Sequence, residues 1–134
     1  MPQETIHAAP GGPSHGQGMV AGVRAGGFLF FSAIRGYGPG GPSTISSDTE
    51  EQARQAFRNL ELLLEGAGAT LDDVVHVTLY LHDLKYRTAF HKVWMEKFPT
   101  SGDAPARIAF QVADANTQPG QGSHFVLDVV AYKP

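Results

Sequence analysis

Apolar positions along the chain recur with two different periods, and the switches between them outline the elements. From Val75 to His82, Val75, Val77, Leu79 and Leu81 alternate with His76, Thr78, Tyr80 and His82. A period of two with branched side chains predicts a strand with one face in a core. Upstream the period lengthens. Ala53, Ala56, Phe57, Leu60, Leu63 and Leu64 recur at three- and four-residue steps, one face of a helix. Ser47 and Glu50 form a candidate capping box at its start, and Gly66 and Gly68 supply the stop. A second helix is expected from about Leu84 to Phe98, with Tyr86, Ala89, Phe90, Val93 and Trp94 inward and Pro99 ending it.

The remaining apolar segments are short. Met19 to Arg24 and Phe28 to Ile34 flank Gly26-Gly27, a hairpin signal, because a tight primed turn needs positive φ. Ala106 to Val112 and Phe125 to Tyr132 predict two further strands, joined by the polar loop ADANTQPGQGSH, long enough to expect a functional lip. Arg35 to Ser46 is a Gly/Pro loop, and residues 1–18, rich in Gly, Pro and His, read as a flexible arm before a single domain over 19–134. The order ββαβαββ predicts an α+β two-layer sandwich, a mixed sheet with two helices on one face. The last strand is apolar on both sides, Phe125, Leu127 and Val129 on one and Val126 and Val130 on the other. A monomer leaves that second face bare, so an oligomer is expected.

Composition narrows the function classes. A chain of 134 residues, 42% hydrophobic and 17% charged, has the make-up of one globular domain. Its net charge of −3 argues against a general nucleic-acid partner, whose affinity rests on phosphate neutralisation. Without cysteine there is no disulfide and no thiolate chemistry. Residues 1–18 lack the basic start and apolar run of a signal peptide, and no apolar run approaches the roughly 20 residues of a membrane span. The expected address is the cytoplasm. No phosphate-cradling loop, HExxH or GxSxG occurs, and the six histidines never stand at i, i+4 on one helix, so neither metal nor cofactor is expected.

Arg107 is the residue to weigh. It follows Pro105-Ala106 and opens the apolar strand IAFQV. One alternative is an interface salt bridge. The other is a guanidinium fork gripping a substrate carboxylate through two parallel N–H bonds, which Lys cannot copy.

The stretches VRAGGFLFFSAIRG, EEQARQAFRNLELLLEGAGATLDDVVHVTLYLHDL, FHKVWMEKF, APARIAFQV and VLDVVAYK occur in that order between Gly22 and Lys133. In these the chain resembles the Rid family, also called YjgF or L-PSP endoribonuclease-like. The resemblance implies a chorismate mutase-like fold, a homotrimer with clefts between subunits, and hydrolysis of enamines or imines to 2-oxo acids and ammonia. It implies that Arg107, in the PAR motif, holds the substrate carboxylate. Ser32 and Ala33 match the Ser-Gly pair that lines the same cleft, and His91 falls where the family has Asn. Two departures stand out. Val126 occupies the position of the Glu that places the attacking water in deaminating members. Counting back from Ser32 without a gap puts Met19 at the family's N-terminal Tyr, while Gly12-Pro13-Ser14-His15 matches that context only with a gap. If another group handles water, His91, His124 and Asp128 are the candidates, since His124, Val126 and Asp128 share a strand face by spacing. For Asp128 a structural hydrogen bond is the favoured role. Three functions stay open: imine or enamine hydrolysis on a small carboxylate, binding of 2-oxo or amino acids without turnover, and RNA cleavage, which the acidic balance disfavours.

Overall fold

The computed structural model describes residues 3–15, 18–113 and 122–134. Its strands are β1 (Glu4–Thr5), β2 (Gly22–Ala25), β3 (Phe28–Ile34), β4 (Val74–Leu81), β5 (Ala106–Gln111) and β6 (Phe125–Tyr132). The helices are α1 (Thr49–Gly66) and α2 (Arg87–Lys97). One sheet in the order β1-β2-β3-β6-β4-β5 carries both helices on one face; β4 and β5 run parallel and every other pair is antiparallel. The α+β two-layer sandwich is as the two periods require. Leu29, Phe31, Leu79, Phe125 and Leu127 from the sheet meet Phe57, Leu60, Leu64, Phe90 and Val93 from the helices, all buried. Each large side chain so buried contributes about 1.5–3 kcal/mol, which makes this the dominant favourable term.

The other sheet face has no layer among the described residues. Phe28, Phe30, Ile108, Phe110 and Tyr132 are each 40% exposed or more. The expectation of a bare apolar face therefore holds for this chain.

Local chemistry departs from the sequence expectation in four places. First, Asp48, not Ser47, caps α1: its Oδ2 accepts from the Glu51 N–H at 3.0 Å, so the acid at the third helical position is Glu51 rather than Glu50. Second, β4 shifts register between Val74 and His76, which buries Val74 and leaves Val75 45% exposed. Third, Leu84–Tyr86 is a separate 3₁₀ turn, with Asp83 accepting from Lys85 N–H, and the α-helix starts only at Arg87. Fourth, part of the arm is tied down. Glu4–Thr5 pairs with β2, Ile6 is buried, and the Ala9 N–H donates to the Leu62 carbonyl at 2.9 Å. A side chain on Gly66 would run into the His7 carbonyl, so this glycine also permits the close approach of the arm. Most of the polar loop before β6, the expected lip, lies outside the described residues.

Candidate functional site

Arg107 stands on β5, the edge strand, in register with the buried Val77 of β4. Strand alternation turns Ile108 and Phe110 to the bare face and Arg107 toward the helices. There the guanidinium lies over the ring of Trp94 from α2, with Cζ 4.6 Å from the centroid. Nη2 donates to Nδ1 of His91, one turn along the same helix, at 3.3 Å. Nη1 is buried and has no hydrogen-bond partner among the described residues. Nor does any described carboxylate form an ion pair with this group. The salt-bridge alternative thus lacks its acid among the described residues. Burial, and then the positive charge of Arg87, disfavour the charged guanidinium relative to its usual state.

Magnitudes indicate what this arrangement suits. Stacking on Trp94 contributes about 0.5–2 kcal/mol. Leaving a buried charged donor unpaired costs about 1–3 kcal/mol or more. The stack offsets only part of that cost, and a two-oxygen anion would remove the rest. Because arginine has no acceptor, the contact also fixes the imidazole: Nδ1 carries the lone pair and the proton sits on Nε2.

A second group of residues gathers on β3 and β6. Between Phe31 and Ile34 the strand bulges, so that Ser32 and Ala33 lie between the Val129 and Leu127 pairings. Ala33 adopts a φ of 57°, a left-handed conformation that favours glycine. Its N–H donates to Asp128 Oδ1 at 3.0 Å, while Tyr80 Oη donates to Oδ2 at 3.3 Å. Both carboxylate oxygens are therefore occupied. That bond and desolvation hold the Tyr80 phenol above its ordinary pKa, with burial the larger cause. Val126, next to Asp128 on the same strand face and paired with Tyr80, is half-buried. His15 Nε2 donates to the Ser32 carbonyl at 3.0 Å. Thus the Gly12–His15 run, which matches the family only with a gap, brings its histidine to this bulge, while Met19 is 62% exposed.

His124 belongs to neither group. The alternation that puts it on the face of Val126 and Asp128 does not reach it, because β6 begins at Phe125. Its Nδ1 meets Thr49 Oγ1 at 2.8 Å, its ring stacks on Tyr86 at 3.9 Å, and its N–H donates to Gln52 Oε1 at 2.9 Å. Burial, then His82 and Lys85, lower its pKa below the usual histidine value, against a smaller upward pull from Asp48.

The chain thus brings Arg107, His91 and Trp94 together, and separately Ser32, Ala33, Asp128, Tyr80 and His15. Strands β6 and β4 intervene between Ser32-Ala33 on β3 and Arg107 on β5. Three strand spacings amount to roughly 14 Å. Sequence reasoning missed Trp94, placed only as a core aromatic, and Tyr80, seen only as an alternating polar position.

The sequence pattern of the family described as Endoribonuclease L-PSP matches residues 13–121. A RutC family protein of Pyrococcus horikoshii is 35% identical over 91 residues, covering 68% of this chain and 71% of the relative. The chain belongs to the Rid family, the L-PSP endoribonuclease-like proteins. Among solved structures it is similar to RidA from the Antarctic bacterium Psychrobacter, at 27% identity and a TM-score of 0.80, covering 96% of this chain and 98% of that one. It also shares the fold of E. coli TdcF, solved with bound serine, at 22% identity and a TM-score of 0.82, over 98% of this chain and 99% of the other. The left-handed φ at Ala33 is a conformation that would be cheapest with no Cβ. Among the described residues of this Rid chain no cluster of three or more candidate ligands could hold a metal, and no helix is long and apolar enough to cross a membrane.

Proposed function

We propose that this Rid-family chain binds a small 2-imino, 2-oxo or amino acid through Arg107, in a cleft completed by a second subunit, and hydrolyses enamine or imine forms of it. The observation that carries the reading is the buried Nη1 of Arg107, which among the described residues has no hydrogen-bond partner and no carboxylate paired with its guanidinium. A carboxylate with two oxygens answers that need, and Nη1 and Nη2 provide the fork. The serine bound to TdcF, a protein of the same fold, is a ligand of the chemical class proposed. A second subunit enters for two reasons. The bulge at Ser32-Ala33 and Arg107 stand on strands separated by two others, too far apart to hold one small ligand within a single chain. The open sheet face also presents aromatic and aliphatic side chains that a partner would cover. A homotrimer, as the family resemblance implies, provides both.

Turnover needs water to be placed rather than strongly activated, because an imine carbon is already electrophilic. One observation favours binding without turnover: Val126 stands where a water-placing carboxylate is expected, and both oxygens of Asp128 are engaged. RNA cleavage, named in the family description, draws no support from a net charge of −3.

Ammonia release from freshly generated 2-aminoacrylate separates the two main readings. Release that rises with protein and falls in Arg107→Lys supports hydrolysis. No release, with thermal protection by 2-oxobutyrate that Arg107→Lys removes, supports binding alone. No release and no protection overturns both.

A further inference from the structure

We propose that His91 is a proton-linked second donor for the bound carboxylate, so that ligand binding at Arg107 takes up a proton from solvent. The inference rests on the carboxylate-binding reading and adds a residue and a pH dependence to it.

Without ligand, the Nδ1 lone pair of His91 is the only described acceptor that Arg107 finds, at 3.3 Å. A protonated imidazole cannot accept, so protonation would break this contact and set two cations side by side. Positively charged groups stand near His91. Arg107 faces it from β5, Arg87 lies one turn back on α2, and Lys92 follows it in the chain. The acids of α1 that approach α2 are already held: Glu50 by Lys92 at 3.1 Å and Arg54 at 3.4 Å, and Glu61 by Lys97 at 3.0 Å. On α2 itself, Glu96 is bound by Arg54 at 2.8 Å. Each of these three acids is thus paired with a cation.

A bound carboxylate changes both terms. Its oxygens are better acceptors for Nη1 and Nη2 than an imidazole nitrogen, so His91 is released from Arg107. Its negative charge then offsets the surrounding cations and favours a proton on Nδ1. His91, exposed and one turn from the Trp94 platform, can turn an N–H toward the same carboxylate. No bond to the ligand forms or breaks; the proton passes from water to Nδ1 and returns when the ligand leaves. By reciprocity, a ligand that favours protonation tenfold is itself bound tenfold more tightly by the protonated form.

Calorimetric titration of the full-length protein with 2-oxobutyrate, in buffers of different ionisation enthalpy, counts the protons exchanged. The ligand's own carboxyl group stays ionised throughout, so it contributes none. Wild type is expected to take up a fraction of a proton, up to about one per site, and to bind about three- to tenfold more tightly near pH 6 than near pH 8. His91→Asn keeps an amide donor but cannot titrate; it should bind with little pH dependence and no uptake. Binding by wild type without uptake, or uptake unchanged in His91→Asn, would overturn the proton-linked role alone. No 2-oxobutyrate binding at any pH would remove the carboxylate reading and this inference together.

Discussion

Asp128 Oδ1 accepts the Ala33 N–H at 3.0 Å, and this bond holds a non-glycine residue at a φ of 57°. The left-handed conformation costs an alanine about 1–2 kcal/mol. A hydrogen bond to a charged group contributes about 1.5–3 kcal/mol, enough to outweigh it. Asp128→Ala is therefore expected to destabilise the protein by roughly that amount. Ala33→Gly should be neutral or stabilising by up to about 1 kcal/mol, since relief of strain competes with added chain entropy. Ala33→Val should destabilise, because a β-branched residue tolerates positive φ poorly. Urea unfolding midpoints rank the three. Equal stability of Ala33→Val and wild type would mean that the bulge does not have this conformation.

Arg107→Lys separates binding from folding. Lysine keeps the charge but loses the fork and most of the stack on Trp94. We expect carboxylate ligands to weaken by about 1.5–3 kcal/mol. Stability should change little, because the substitution also removes the unpartnered buried Nη1. Titration with 2-oxobutyrate beside a melting curve reads both quantities. Unchanged affinity with a lowered melting temperature would make Arg107 a structural residue.

How far the sequence reached depended on how local the cause was. The helices and five of the six strands follow from period and composition, because burial of Leu79 or Phe57 depends on spacing along a single element. Features set by a single residue's backbone were not legible. The bulge at Ser32-Ala33 and the shift at Val74–His76 leave no mark in a pattern of apolar letters, so the pattern points Val75 to the core although it stands exposed. The two-residue β1 is too short to alternate. Alternation places His124 on the face of Val126 only if it continues one residue beyond the strand; the strand begins at Phe125, and the His124 side chain meets Thr49 and Tyr86. Arg107 was legible through its motif. Its platform was not, because no spacing rule tells which of several inward aromatics will meet a strand from elsewhere in the chain.

Assembly is the next expected outcome. Phe28, Phe30, Ile108, Phe110 and Tyr132 form an exposed apolar face too extensive to leave in water. Closed cyclic symmetry with three copies of the 14.3 kDa chain gives a mass of about 43 kDa. Light scattering at micromolar concentration should return that mass, and Ile108→Glu should shift it toward the monomer. A wild-type monomer would remove the shared cleft.

His124 sets an acid limit on stability. Its native pKa lies below the ordinary 6.5, chiefly through burial. The unfolded chain therefore takes up the proton first. The stability linked to this residue is fully present above about pH 6.5 and is lost as pH falls through the lowered native value. His124→Gln should flatten the fall in melting temperature over that window relative to wild type. An unchanged slope would place the pH dependence on another of the histidines.

Val126→Glu asks whether a missing carboxylate limits turnover. Val126 lies on the bare sheet face, paired with Tyr80 and two residues from Asp128. A glutamate there would supply an acceptor for the attacking water. Its carboxylate would also stand about 7 Å along the strand from that of Asp128, and this like charge, with partial burial, should raise its pKa. The gain in ammonia release should therefore appear on the alkaline side of that raised pKa and fade below it. It can reach about 10²-fold, the lower end for a positioned acid–base group. Added volume and charge on a surface meant for a partner subunit act against it, so mass and melting temperature must be measured beside the rate. A folded variant with wild-type mass and no gain at any pH would show that water is placed by another group or that the site binds without turnover. His91→Ala and His124→Ala would then distinguish those two outcomes, since a loss of residual ammonia release in either variant identifies the group that acts on water.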